Sequence, residues 1–245
     1  MGQFAMDLVA PSGSRVQVEW ANETPLLTIT AGVRFAGSNY ARGFQIGLPG
    51  HHQFAAEHMV PATLRRRLVV GNREVLVSQA NDGSATIATL VGRHHELMTV
   101  FSGPAPAEAA IIDLFGVLDI DDQPAGMRVV PNAASLVTVA SEHVIAVIED
   151  RGSVDVPGLA QAKALLPTSR GAVATRGEIW RSPLPGTASA RGDRARAYSY
   201  ILGYPRGVAE VQLEPEGAAT DAELLDWMDT IEVSWPDAKL VKAGR

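Results

Sequence analysis

The feature that most constrains the fold is a repeat within the chain. Segments of the first half return in the same order in the second half with similar apolar spacing: 27–30 with 137–140, 42–50 with 151–158, 90–92 with 201–203, and 111–120 with 224–233. A period of roughly 110 residues is too long for a solenoid and suits a duplicated domain. The chain is therefore predicted to contain two copies of one domain.

The pattern of each copy predicts an α+β fold. Apolar and polar residues alternate at 4–9 and 15–20 across the turn Pro11-Ser12-Gly13, which indicates a hairpin. Helical spacing is found at 50–59, 107–118 and 159–166 and after Thr220. We predict two tandem copies of an antiparallel sheet packed by helices, related by a pseudo-twofold axis. The first copy covers residues 1–127 with the N-terminal hairpin, the second covers 128–238, and 239–245 form a frayed tail.

The last helix is the best-marked element of the sequence. Thr220 and Glu223 have the spacing of a capping box, and Leu224 and Trp227 begin an apolar stripe at helical spacing. The proline- and glycine-containing residues 123–132 are expected to link the two copies.

Composition limits the class of protein. The 245 residues are 46% hydrophobic and 20% charged, as in globular domains, and no run reaches the about eighteen apolar residues of a membrane helix. The start has no basic region followed by an apolar segment, so no secretory signal is expected. The chain has no cysteine, and its net charge of −6 argues against general nucleic-acid binding. We expect a cytoplasmic protein; the preference for arginine over lysine suggests a bacterial source.

Each copy resembles the PsbP-like α/β fold. The resemblance rests on the Gly-turn hairpin Val70-Gly71-Asn72-Arg73-Glu74 and on the closing helix and strand, 107–121 in the first copy and 220–235 in the second. The fold is known from a photosystem II extrinsic subunit, Ran-binding nuclear-import proteins and Eag-type secretion chaperones. The resemblance implies a domain that binds proteins or peptides and is not a catalyst; no site residue is carried over from it.

Common catalytic motifs are absent from the sequence. There is no Gly-x-Ser-x-Gly, no Gly-x-x-x-x-Gly-Lys, no Gly-x-Gly-x-x-Gly and no His-Glu-x-x-His. These absences weigh against the common hydrolases and nucleotide-binding enzymes, and no cofactor is expected. Enzymatic function stays open but is not favoured.

The histidines are the best argument for an enzyme. His51 and His58 lie on or near the first predicted helix, and His94 and His95 begin a strand. Imidazoles from two elements suit zinc or iron, which makes a metal site one interpretation. The other is that these histidines are surface or capping residues. The aspartates at 119–122 are interpreted as a solvated strand face.

Aromatic and arginine side chains favour a binding surface in the second copy, because such residues dominate binding hot spots. The candidates share the segment 180–204 and are Trp180, Arg181, Arg196, Tyr198, Tyr200 and Tyr204. The alternative is that the aromatic residues belong to the core; one side of this strand must be core, because Ile201 faces opposite to Tyr200. The basic run 65–67 is expected to cap the loop before its strand.

The sequence thus predicts a non-catalytic accessory or chaperone module that binds a peptide or protein client. One suitable role is to present a precursor peptide to partner enzymes in bacterial natural-product biosynthesis. An exposed sheet edge suits an extended peptide. We expect a monomer or homodimer without membrane insertion. The alternatives are a metal-dependent enzyme that uses the first-copy histidines, and a structural or assembly subunit.

Overall fold

The computed structural model describes residues 3–21, 25–38, 41–132, 137–184, 195–215 and 219–237. Strand residues make up 55% of the structure and helical residues only 17%. The predicted α+β class, with helices packing two sheets, is therefore wrong. Helices do form at the predicted helical segments, but each is short. Several segments without a clear strand pattern form strands. The predicted tail at 239–245 lies outside the described residues.

By contact the chain divides into two compact units. Unit 1 comprises Met1–Leu8, Ser14–Ile29 and His143–Arg245, and unit 2 comprises Val9–Gly13 and Thr30–Glu142. The predicted boundaries, 1–127 and 128–238, concern the sequence repeat and remain a prediction. Each contact unit draws residues from both halves of the chain.

Unit 2 contains a six-stranded antiparallel sheet with two short helices. Along the chain its elements are β3 (Leu26–Ala36, from residue 30 onward), β4 (Ala41–Gly47), α1 (His51–Phe54), a π-helical turn (Ala55–Met59), β5 (Ala62–Val70), β6 (Arg73–Ala80), β7 (Ala85–Val91), β8 (Glu96–Ser102) and α2 (Glu108–Gly116). The strand order is β3-β4-β8-β7-β6-β5, so β5 is at the end of the order. A separate hairpin joins β9 (Leu118–Gln123) to β10 (Gly126–Pro131). The segment predicted as a linker is therefore largely a strand.

The core of unit 2 lies on the face of the sheet that α2 covers. Ile111 and Phe115 of α2 are fully buried there, and the Phe115 ring meets the Phe44 ring edge-on at 5.9 Å. On the other face, Ala55 of the π-helical turn packs against Ile87 and Met98. The sheet of unit 2 is thus flanked by helical segments on both faces.

Unit 1 also contains six antiparallel strands in its larger sheet. Its elements are β1 (Gln3–Val9), β2 (Arg15–Ala21), β11 (Thr138–Ile148, from residue 143 onward), β12 (Gly152–Pro157), α3 (Leu159–Leu165), β13 (Ala172–Val173), β14 (Glu178–Pro183), a 3-10 turn (Ala195–Ala197), β15 (Tyr198–Tyr204), β16 (Gly207–Leu213), α4 (Asp221–Met228) and β17 (Glu232–Ser234). The order is β11-β12-β16-β15-β14-β13, beside a small sheet β1-β2-β17.

The capping box before α4 is confirmed. The Thr220 hydroxyl accepts a hydrogen bond from the Glu223 N–H at 3.3 Å, and the Thr220 N–H donates to Glu223 Oε2 at 2.7 Å. Leu224 and Trp227 of this helix are buried, as their spacing predicts. Across the described ranges, no helix combines the length and the apolar character needed to cross a membrane.

Candidate functional site

The candidate site is the free edge of β5 in unit 2. In the strand order of the described residues, β5 pairs with β6 on one side and with no strand on the other. The strand has nine residues, and those from Thr63 to Arg67 are all exposed, as is Val69 at 67%. Alternate residues of an antiparallel edge strand direct their N–H and C=O groups away from the sheet. The strand therefore offers an unpaired hydrogen-bonding edge.

A bulge in β5 changes the direction of its side chains. Leu64 pairs with Ser78, whereas Arg66 pairs with Val77, so that Arg65 is the extra residue. Ser78 and Val77 point to opposite faces of β6. Leu64 therefore faces the π-helical turn, while Arg66 faces α2.

Three consecutive arginines occupy the middle of this edge, which we call the arginine edge (Arg65, Arg66 and Arg67). Arg66 Nη1 lies 3.5 Å from Glu108 Oε1 at the start of α2, and Arg67 Nη1 lies 2.6 Å from Glu74 Oε1 on β6. Sequence reasoning placed these arginines in a loop before the strand, and that prediction is wrong. The three arginines and the bulge break the apolar–polar alternation, so the sequence carried no clear strand signal in this segment.

Exposed apolar side chains lie at both ends of the arginine edge. Leu64 and Val69 belong to β5 itself, and Met59 belongs to the adjacent π-helical turn. Leu64, Arg67 and Val69 face the same side of the sheet according to the pairing with β6. The edge thus combines central positive charge with flanking apolar groups.

A buried polar cluster lies behind this surface, between α1 and the sheet. The His52 side chain bridges two strands: its Nδ1 is 2.8 Å from Thr89 Oγ1, and its Nε2 is 2.8 Å from Ser78 Oγ. Whichever ring nitrogen carries the proton donates to its hydroxyl, and the other accepts. Glu96 Oε2 accepts from the His52 N–H at 2.6 Å, which fixes the start of the helix.

The Ser78–His52 contact has the distance of a nucleophile and its base, but not the access. Ser78 is only 1% exposed and His52 only 7%, so no substrate reaches the hydroxyl. Burial lowers the pKa of His52, although the Glu96 carboxylate opposes this shift. The cluster therefore holds a neutral imidazole and fixes α1 on the sheet.

A cleft of about 350 Å³ opens at the end of the β5–β6 hairpin, lined by Asn72, Arg73, Glu74, Gly92, Arg93 and Asp122. Asp122 accepts hydrogen bonds at 2.8 Å from both the His94 N–H and His95 Nδ1. Burial opposes ionisation of Asp122, but these hydrogen bonds outweigh it and hold the pKa of Asp122 below its usual value. Asp122 is thus a buried anchor of the turn and not part of a solvated face.

The histidines predicted as metal ligands do not converge. His58 is exposed and contacts Phe54, with ring centroids 5.0 Å apart and the rings tilted by 52°, and His51 packs against Gly47. His95 is paired with Asp122, while His94 contributes its backbone N–H. Within the described ranges no three histidine, aspartate or glutamate side chains group as a metal site.

The structure brings only part of the predicted peptide-binding set of unit 1 together. Tyr200 is buried, and its hydroxyl donates to the Ala195 carbonyl at 2.9 Å; that of Tyr204 donates to Ile231 at 2.7 Å. Trp180 lies half-buried on the opposite face and donates to the Ser169 carbonyl at 2.8 Å.

Arg181 and Tyr198 of that set lie close together, whereas the Arg196 side chain is held by hydrogen bonds within the chain. The Arg181 guanidinium stacks over the Tyr198 ring at 4.6 Å from its centroid. Arg196 donates to the Glu214 carbonyl at 2.7 Å and to Asp221 Oδ1 at 2.9 Å, which ties it to the chain before α4. Tyr198 also contacts the Tyr200 ring, with centroids 6.5 Å apart, so Arg181, Tyr198 and Tyr200 lie together. Binding by this set remains a prediction.

Two carboxylates face each other across β12 and β16 in unit 1. Asp155 pairs directly with Glu210, and Asp155 Oδ1 is buried without a hydrogen-bond partner. His143 Nδ1 lies 3.6 Å from Asp155 Oδ2, and its attraction opposes the repulsion from Glu210. Burial is the main cause that raises the pKa of Asp155; His143 lowers it and Glu210 raises it.

Asp155→Asn is expected to raise the free energy of unfolding at neutral pH by up to about 1 kcal/mol, because it removes the charge of a buried carboxylate that also faces Glu210. Because the pKa of Asp155 is raised, the wild-type folded chain keeps this carboxyl protonated at about pH 4 and loses the proton, and stability with it, as the pH rises. The stability gained with Asp155→Asn therefore grows with pH. Urea unfolding at several pH values measures it, with the exposed Asp226→Asn as control. A gain that is equal at all pH values would refute this account.

No protein-family model matches the chain, and neither curated proteins nor solved structures provide a match.

Proposed function

We propose that the chain is a non-catalytic module that binds an extended peptide or protein segment by strand addition at β5. The client is a protein segment or a precursor peptide that the module presents to partner enzymes in a bacterial pathway. We further propose that the module acts in the cytoplasm as a monomer or homodimer.

The observation that carries this proposal is the nine-residue free edge of β5 with its exposed side chains. In strand addition, main-chain hydrogen bonds provide affinity and alternate side chains provide specificity. In unit 1 the strand at the corresponding end of the order offers much less, since β13 has only two residues. A catalytic alternative has no comparable support, because the buried Ser78 hydroxyl is not accessible.

The test uses a proline in the free edge. Val70 and Arg73 flank the two-residue turn Gly71-Asn72 and pair with each other, so the neighbouring Val69 directs its N–H outward. Val69→Pro therefore removes an N–H from the free edge and no hydrogen bond from the ladder with β6. Val69→Thr is the matched control, because it keeps both the shape and the N–H.

Binding is measured with three fluorescent nine-residue peptides, as long as β5. They read Thr-Val-Thr-X-X-X-Thr-Val-Thr, with X as Glu, Gln or Lys, and are palindromic so that strand direction does not matter. We expect at least one to bind with a Kd of about 1 to 100 μM and to lose about tenfold or more in affinity with Val69→Pro. Binding that is equally tight with proline, or absent for all three peptides, would refute strand addition at β5.

A further inference from the structure

The chemistry of the partner follows from the side chains of the edge, and this inference rests on the proposed function. We infer that β5 selects an extended segment with a short run of acidic residues flanked by apolar residues. The acidic run lies opposite Arg65–Arg67, and the apolar residues lie opposite Leu64 and Val69.

The charges of the arginine edge are only partly compensated. Glu108 accompanies Arg66 and Glu74 accompanies Arg67, but Arg65 has no acidic partner at ion-pair distance among the described residues. Both existing pairs are exposed and therefore weak, so a partner carboxylate can share or replace them. A carboxylate of the partner would therefore be the first acidic group to pair with the Arg65 guanidinium at the bulge.

The same residues discourage other partners. Charged side chains and bulges keep edge strands from pairing with arbitrary strands. A neutral strand would cover the arginines without compensating them, and a basic strand would repel them. The arginine edge is thus expected to bind most extended chains weakly and to bind more tightly a chain whose acidic residues lie opposite the three arginines.

A second copy of this chain is a poor occupant of the edge. Arg66 is the central residue of the nine in β5. Symmetric antiparallel pairing along the whole strand therefore places the three arginines of one copy opposite those of the other. Like charges directly opposite each other destabilise a sheet. The geometry favours a different, acidic chain.

Apolar side chains define the two ends of the acidic run. Leu64 and Val69 are exposed on the face of β5 that the π-helical turn flanks, and Met59 of that turn is exposed beside them. Valine or leucine in the partner covers this apolar surface on binding. The acidic run between the apolar positions is therefore short.

The experiment compares the three peptides on the wild-type chain and on two variants. The wild type is expected to bind the Glu peptide about tenfold or more tightly than the Gln peptide and to bind the Lys peptide most weakly. Arg65→Gln combined with Arg67→Gln should remove most of this preference. Arg34→Gln, an exposed arginine on β3 of the same unit, should leave it unchanged.

The outcomes separate the two proposals. Equal affinity for the Glu and Gln peptides, still lost with Val69→Pro, would overturn the acidic selection but leave strand addition intact. Failure of all peptides would overturn strand addition itself. A Glu preference that survives in the double variant would assign the selection to other residues and overturn this inference. Raising the salt concentration should weaken only the Glu peptide, because exposed charges are screened.

Discussion

Replacing Gly152 with alanine is expected to lower the free energy of unfolding of unit 1 by about 3 kcal/mol or more. Gly152 opens β12 with a φ of 123°, a backbone conformation that residues with a Cβ rarely adopt. An added Cβ would stand 2.1 Å from the Gln212 carbonyl oxygen and 2.8 Å from the Glu214 nitrogen, both on the backbone. Neither atom can move without breaking the pairing of β12 with β16.

Urea unfolding followed by tryptophan fluorescence measures this effect, because all four tryptophans, Trp20, Trp180, Trp227 and Trp235, belong to unit 1. The control is Gly43→Ala on β4, where nothing lies within 4 Å of the added Cβ and φ is not positive. We expect the control to unfold at nearly the wild-type urea concentration. Equal midpoints for the two variants would show that the strain at Gly152 is relieved at little cost.

Local signals in the sequence predicted the elements that depend on local chemistry. The first hairpin, the Gly71-Asn72 turn and the capping box of α4 are all present. Each follows from the few residues that form it. Packing in the folded chain does not change these elements from strand to helix or the reverse.

The fold class was wrong because strands here depend on pairing more than on propensity. The segment 62–70 contains three arginines and a bulge, so its alternation is broken, yet it pairs with β6 along its whole length. Similarly, Met127 and Val129 of β10 are buried although proline and glycine flank them. Pairing partners are distant information, which a local pattern does not contain.

The duplicated domain remains a proposal, and the strand orders support it. Within unit 2 the order is β3-β4-β8-β7-β6-β5, and within unit 1 it is β11-β12-β16-β15-β14-β13. If β3 corresponds to β11 and the later strands follow in turn, the two orders are the same. The helices after β4, β8, β12 and β16 also correspond.

The sequence predicted the kind of binding surface but not its position in the chain. Binding at an exposed sheet edge was expected without naming the edge, and the residues proposed for a binding surface lie in unit 1. The spacing of Tyr198 and Tyr200 correctly placed them on one side of the strand, but the sequence did not show that this is the buried side. Tyr200 shares that side with the buried Leu202.

The buried His52 cluster was also beyond sequence analysis, since it joins residues far apart in the chain. Its two ring nitrogens contact Ser78 and Thr89, both almost fully buried. Removing the imidazole leaves these two hydroxyls without their partner. An unsatisfied buried polar group costs about 1 to 3 kcal/mol, so the cluster has a large effect on stability.

His52→Leu is therefore expected to lower the free energy of unfolding of unit 2 by about 2 to 4 kcal/mol at neutral pH. In the wild type the lowered pKa of His52 means that the unfolded chain takes up a proton first as the pH falls below about 6.5. The stability that the neutral imidazole provides is thus present above that pH and lost below it. Circular dichroism during urea unfolding measures both effects, since unit 2 has no tryptophan. His58→Leu, at an exposed position, is the control; an unchanged pH profile in His52→Leu would contradict the buried-imidazole account.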